Sequence, residues 1–233
     1  RRVLLVDMDP QGNATMGSGV DKNALELSGY DVLTKRASPA EVIVKTDASG
    51  FDLLPANGDL TAAEVELMNE IGREHRLRLA LNSVRENYDY ILIDCPPSLN
   101  LLTVNSLSAA DSVLIPMQCE YYALEGLAAL MNTVEQIKET VNPNLEIEGI
   151  LRTMYDPRNS LTLDVSGQLS EYFGEKVYRA VIPRNVRLAE APSYGMPALA
   201  YDKTSKGAVA YLALAGEMVR RHGSKKTSAA VAV

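Results

Sequence analysis

Two short stretches place carboxylates directly after apolar runs. Asp7 and Asp9 follow Val3-Leu4-Leu5-Val6 and lead into Pro10-Gln11-Gly12-Asn13-Ala14-Thr15, and Asp94 follows Ile91-Leu92-Ile93 and leads into Cys95-Pro96-Pro97-Ser98. An aspartate at a strand tip can hold Mg²⁺ beside phosphates, directly or through water, because this cation takes hard oxygen ligands and keeps several waters. Such an aspartate equally serves as a helix cap or a turn former, and these residues alone leave both readings open. The stretch 9–15 says more. A carboxylate followed by a Gly/Asn turn and a hydroxyl suits the orientation of a water toward a terminal phosphate, with an Asx-turn and a cap at Asn13 or Thr15 as the alternative.

These residues need a scaffold that presents strand ends side by side, and the remaining pattern supplies one. Apolar runs at 2–7, 51–55, 90–94, 112–117, 146–154 and 177–182 show no polar alternation, as expected of strands covered on both faces. Helical stretches are expected at 64–87, at 123–141 with Leu124, Leu127, Leu130, Met131, Val134 and Ile137 in register, at 161–173 with Gly174 as its stop, and at 206–221. Alternation of the two implies an α/β fold, a doubly wound, mostly parallel sheet with helices on both faces. In such sheets ligands sit beyond the carboxyl ends of the strands, where Asp7, Asp9 and Asp94 fall. The region 1–222 reads as one domain. The polar run Gly223-Ser224-Lys225-Lys226-Thr227-Ser228 and the small apolar residues after it, 223–233, read as a disordered tail.

Composition narrows the function. With 233 residues and 46% hydrophobic content the chain can bury one sizeable core, and a net charge of -7 gives no general support for nucleic-acid binding, leaving only a local patch. Cys95 and Cys119 form neither a disulfide framework nor a CxxC pair and suit a reducing cytoplasm. The apolar runs at 113–117 and 208–215 are too short to span a bilayer. His75 and His222 lack neighbours at zinc-ligand spacing, Ser98 and Ser193 lack a GxSxG elbow, and Tyr121-Tyr122 reads as helix-start packing. Arg1 opens directly into a strand pattern, which reads as a fragment boundary.

Four blocks carry a resemblance to a known family: 2–15, 88–99, Gln118-Cys119-Glu120-Tyr121-Tyr122-Ala123-Leu124-Glu125-Gly126, and the stretch from Ile182-Pro183-Arg184-Asn185-Val186-Arg187 to Gly195. In order and spacing they resemble the ParA/Soj partition ATPases, a P-loop NTPase-like family, over nearly the whole chain. The resemblance implies ATP and Mg²⁺ as ligands, with Asp9 orienting the attacking water, Asp7 beside it at the strand end, Thr15 as a switch hydroxyl, Asp94 as the Walker B metal aspartate and 96–100 as a second switch. Thr153, Met154, Pro183 and Arg184 match loops flanking the adenine, and Glu120 matches a ribose or dimer contact; ordinary strand-end packing is the alternative for Glu120 and Thr153. The family's KGGVGKTT phosphate loop occurs nowhere in the chain. It is expected in one βα unit of roughly 30 residues before Arg1, so the sheet is expected to lack that unit and its central strand, and the chain as it stands to bind ATP weakly or not at all.

The resemblance further implies an ATP-dependent homodimer, nonspecific double-stranded DNA held by Arg158 and Arg187 with Lys203 and Lys206 nearby in sequence, a ParB-like partner that stimulates hydrolysis, and a cytoplasmic, nucleoid-associated protein without stable membrane attachment. Phosphate contacts of this kind do not read bases and are strongly salt-dependent. Two rivals stand beside this reading: a MinD-like cell-division ATPase attached to membrane by a basic C-terminal helix, and a non-catalytic DNA-binding or scaffold module.

Overall fold

The computed structural model describes residues 1–46, 50–223 and 229–233. Its strands are β1 (Val3–Asp7), β2 (Val44–Lys45), β3 (Asp52–Leu54), β4 (Tyr90–Asp94), β5 (Ser112–Gln118), β6 (Glu146–Tyr155), β7 (Val177–Pro183) and β8 (Ala229–Ala232). Around them lie helices α1 (Asn13–Gly17), α2 (Gly29–Leu33), α3 (Pro39–Val42), α4 (Leu60–Glu66), α5 (Arg76–Asn82) and α6 (Leu101–Ala109). Five more follow: α7 (Ala123–Thr140), α8 (Ser160–Phe173), α9 (Val186–Glu190), α10 (Ala198–Tyr201) and α11 (Lys206–His222). The strands form one eight-stranded sheet in the order β2-β3-β1-β4-β8-β5-β6-β7, with β2 antiparallel to β3 and every other neighbour parallel.

Unbroken apolar strands give this sheet two covered faces. Leu4, Val6, Ile91 and Ile93 are fully buried and pack with Leu33, Leu60, Leu77 and Leu102 from α2, α4, α5 and α6. Val113, Ile115 and Ile150 pack with Leu127, Val134 and Ile137 of α7 and with Val165 and Leu169 of α8. Leu114, Leu151, Tyr178 and Ile182 form a further cluster with Leu214 of α11. Burying one such side chain contributes about 1.5–3 kcal/mol. Asparagine and serine side chains start the helices that lead off the strand ends: Asn100 accepts from the Thr103 N–H at 3.0 Å, Asn159 from Leu161 at 3.0 Å and Ser205 from Ala208 at 3.2 Å.

Two sequence expectations fail here. The helix expected over 64–87 is broken: α4 ends at Glu66, Gly72 takes a left-handed φ of +69°, and α5 begins only at Arg76. A left-handed residue cannot continue a right-handed helix, and glycine adopts that conformation without steric cost. The second failure is the tail. Residues 224–228 lie outside the described residues, but Ala229–Ala232 are the strand β8 at the centre of the sheet, and the sheet therefore has no central gap.

The physical reason is backbone pairing. Strands β4 and β5 each offer a row of N–H and C=O groups that would be costly to bury unpaired, and β8 satisfies both rows. Val233 N–H donates to Ile93 O at 2.8 Å, Cys95 N–H to Val233 O at 3.0 Å and Asp111 N–H to Ala230 O at 2.7 Å. The small side chains of Ala230, Val231 and Ala232 fit between the helical layers and are at most 1% exposed.

Candidate active site

The pairing of β1 with β4 sets Asp7 directly opposite Asp94 at the carboxyl edge of the sheet. The two aspartates sit in different surroundings. Asp7 is fully buried; its Oδ2 accepts from the Thr15 N–H at 2.8 Å and the Thr15 hydroxyl at 2.7 Å, and its Oδ1 accepts from the Asp9 N–H at 3.1 Å. Burial raises its carboxyl above the ordinary range against the lowering effect of those hydrogen bonds. Asp94 is partly exposed, and among the described residues no donor is hydrogen-bonded to its carboxylate. Burial first, and then the charges of Asp7 and Asp9, push its carboxyl up to about 6.

Thr15 organises the loop between β1 and α1. Besides donating to Asp7, its hydroxyl accepts from the Ala56 N–H at 2.9 Å, so one buried side chain ties the ends of β1 and β3 to α1. Asp7 is thus sealed from solvent, and the Thr15 hydroxyl bonds both to it and to the end of β3. Asp9 is left at the rim. Its Oδ1 accepts from the Gln11 N–H at 2.9 Å, and its carbonyl accepts from the Gly12 N–H at 2.9 Å, forming the turn expected from Asp-Pro-Gln-Gly. Gly12 has φ +61°, and a Cβ there would lie 2.8 Å from the Ala56 carbonyl oxygen, so only glycine closes the turn.

Further along the same edge, β4 passes into the exposed segment 97–99, which Asn100 ends as the cap of α6, with the Thr103 hydroxyl donating to the Ser98 carbonyl at 2.6 Å. Burial raises the Cys95 thiol to about 11, which disfavours the thiolate. The register pairs Tyr155 with Pro183, which brings Thr153, Met154, Pro183 and Arg184 together at the ends of β6 and β7. Met154 is 41% exposed and takes a positive φ of 50°, a conformation rare outside glycine. Glu120 is exposed at the end of β5, and Tyr121 and Tyr122, expected to pack at the helix start, are instead 73% and 74% exposed and meet each other edge to face. From Asp94 to Thr153 are three strand spacings, roughly 14 Å.

A lone partly exposed carboxylate beside two others, with no cation of its own, fits Mg²⁺ carried by a phosphate group; among the described residues no cluster of three acidic, His or Cys side chains could hold a metal alone. The expected DNA contacts lie elsewhere. Arg158 is held by Asp156 through two hydrogen bonds of 2.9 and 2.8 Å, and Arg187 lies 2.7 Å from Glu190 and 3.6 Å from Asp202. Sequence reasoning missed the part played by Ala56, which only the fold brings to Thr15, and the arrival of Val233 beside Cys95. The turn residues Pro55-Ala56-Asn57-Gly58 after an apolar run were the available signal for the first.

Known proteins are similar to this chain in sequence and fold. The profile of the AAA_31 family, an AAA domain, matches residues 1–147. The sporulation initiation inhibitor protein Soj of Bacillus subtilis is 54% identical over 218 residues, covering 94% of this chain and 86% of its own, and the chromosome partitioning protein ParA of Caulobacter vibrioides is 50% identical over 231 residues, covering 98% and 86%. A crystal structure of cobyrinic acid a,c-diamide synthase from Mycobacterium smegmatis, with bound ATP analog and magnesium, matches with a TM-score of 0.84 at 37% identity over 98% of this chain and 86% of that one. The cell division ATPase MinD of Pyrococcus furiosus matches with a TM-score of 0.75 at 26% identity, covering 94% and 85%. With half or more of its residues shared with Soj and ParA over nearly its whole length, and a doubly wound P-loop NTPase-like sheet beneath them, the chain belongs to the ParA/Soj family of partition ATPases.

Proposed function

We propose that this chain is the ATPase of a DNA partition system, hydrolysing ATP at a dimer interface and binding DNA nonspecifically in its ATP state. The observation that carries the reading is the unpartnered Asp94 carboxylate, held in register with Asp7 and beside Asp9 at one edge of the sheet. Asp94 holds the metal, which neutralises phosphate charge when bound. Asp9 accepts a hydrogen bond from the attacking water and aims it; the water oxygen bonds to the terminal phosphorus as the bond to the bridging oxygen breaks, releasing ADP. Thr153, Met154, Pro183 and Arg184 flank the base, Glu120 contacts the ribose or the second copy, and Asp7 and Thr15 keep the loop in place.

A phosphate loop must complete this edge, and none occurs in the sequence. Loss of the terminal phosphate removes contacts that ADP cannot replace, which shifts the dimer toward monomers and releases DNA. A ParB-like partner accelerates that step, and the protein works in the cytoplasm on the nucleoid. DNA phosphates reach Arg158 by displacing Asp156, and Arg187 by displacing Glu190 and Asp202, so binding weakens steeply with salt. The MinD-like alternative is disfavoured by α11. Its last turn is tied down, with Arg221 on Glu217 at 2.9 Å and His222 on Glu148 at 2.8 Å.

The test compares this chain with the same chain preceded by a loop of the KGGVGKTT form. The extended chain should hydrolyse ATP and dimerise with it, and its Asp9→Ala variant should keep the dimer while turnover falls by about 100-fold or more. An extended chain that neither turns over ATP nor dimerises ends the enzyme reading and leaves the scaffold module. Arg187→Ala should lower DNA affinity on every sequence and flatten the salt slope by about one; an unchanged slope removes that contact.

A further inference from the structure

A groove along α5, built from the region where the long expected helix breaks, has no part in the site described above. Two cavities of about 360 and 240 Å³ share Arg78 and Asn82, which are four residues apart on one face of α5. The larger is lined by Lys35, Ile71, His75, Arg76, Arg78 and Leu79 among others, and by no carboxylate, in a chain of net charge -7.

Three features say what this groove would take. Ile71 is 99% exposed and Leu79 61%, so the groove presents two apolar side chains to water. The Lys35 ammonium and the Arg78 guanidinium have no hydrogen-bond or ion-pair partner among the described residues. Below them Arg76, only 9% exposed, spends Nη2 on Glu70 at 2.6 Å while its Nε is buried without a partner. Lys35 is also held at φ +62°, a conformation unfavourable for any side chain, so the end of α2 keeps a lysine where glycine would fit better.

We propose that this groove docks an acidic amphipathic segment of a protein partner, its apolar side chains on Ile71 and Leu79 and its carboxylates on Lys35 and Arg78. An apolar floor with a cationic rim is the complement of such a helix. It is a poor complement of a nucleic-acid backbone, which presents charge along its whole length and nothing to cover Ile71.

The test uses a fluorescein-labelled helical peptide of glutamate, alanine and leucine, with a control in which every glutamate is lysine, followed by anisotropy. The glutamate peptide should bind the wild-type chain and the lysine peptide should not. Lys35→Glu with Arg78→Glu should weaken the glutamate peptide at least about tenfold and create binding of the lysine peptide; Ile71→Asp with Leu79→Asp should abolish binding of the glutamate peptide. Lys35→Gly should raise the urea midpoint while weakening the peptide, a split that a structural role for Lys35 would not give. All four side chains line the surface groove, and circular dichroism checks that the variants fold. Three results overturn the proposal: no binding of the glutamate peptide up to about 1 mM, equal binding by wild type and charge-reversed chain, or a charge reversal that weakens duplex DNA and leaves the peptide untouched. Self-association abolished by Ile71→Asp would also overturn it, assigning the groove to a second copy.

Discussion

Two acidic clusters occupy opposite ends of the same sheet, and their surroundings move their carboxyls in opposite directions. At the amino ends of the strands, Glu148 accepts from the Tyr178 hydroxyl at 2.7 Å and the Ser112 hydroxyl at 3.2 Å and lies 2.8 Å from the His222 ring, which stacks on Tyr90. Glu217 accepts from the backbone N–H groups of Arg179 and Ala180, both at 2.9 Å, and pairs with Arg221, whose guanidinium lies 3.8 Å over the Tyr178 ring. Burial works to raise both carboxyls, yet the hydrogen bonds and nearby cations win and hold them low. At the carboxyl ends the balance reverses, since Asp7 and Asp94 are raised and Asp94 has neither donor nor cation among the described residues. A buried acid satisfied by the protein fastens α11 to β6 and β7. One left unsatisfied keeps a charge deficit that a ligand can fill.

Removing a satisfied acid should be the more damaging change. Glu217→Ala strands two backbone donors and a guanidinium and should cost about 3 kcal/mol in urea unfolding; a loss under about 0.5 kcal/mol would erase the distinction between the clusters. Asp94→Asn should do the reverse, stabilising the metal-free chain at pH 7 by about 2 kcal/mol, with part of the carboxyl's shift discounted for its partial exposure. The pH dependence gives the sign. The native state holds the Asp94 proton more tightly than the unfolded chain, at about 6 against 3.8, so this stabilisation is complete below 3.8 and is lost as pH rises toward 6. Glu148 and Glu217 are held below their ordinary value of 4.5, so their contribution is present above 4.5 and disappears as pH falls through their native values. Stability measured from pH 3 to 8 should therefore decline less between 4 and 6 in Asp94→Asn, where Asp7, also raised, still contributes, and keep its acid limb; an unchanged curve would show that Asp94 is not strained. The smallest effect is expected at Arg158→Ala, with no measurable shift of the urea midpoint, because the Arg158 side chain is 88% exposed and its pair with Asp156 is screened by solvent.

Much of this contrast could be read before any coordinates. Apolar runs without alternation marked six of the eight strands described, and the aspartates at their tips marked the carboxyl edge of the sheet. The amino-end cluster left no comparable trace. Glu148, Tyr178, Glu217 and His222 are scattered over three elements, and nothing in their spacing shows that β6, β7 and α11 converge. The helix at 64–87 was misread because a single glycine, Gly72, outweighed a long helix-forming composition. The tail was misread because polarity near 224–228 masked four small residues whose value as a strand depends entirely on a vacancy between β4 and β5.

The sequence by itself determined the parallel sheet, the family and the positions of Asp9 and Asp94, because these follow from local patterns: hydrophobic period, strand-end residues and turn residues such as Gly12. Only the tertiary structure decided that Thr15 bonds both to Asp7 and to the end of β3, that no donor among the described residues reaches the Asp94 carboxylate, and that Ala229–Ala232 complete the sheet. Those outcomes depend on which groups distant in sequence reach one another, and burial and hydrogen-bond satisfaction are properties of that assembled neighbourhood rather than of any segment.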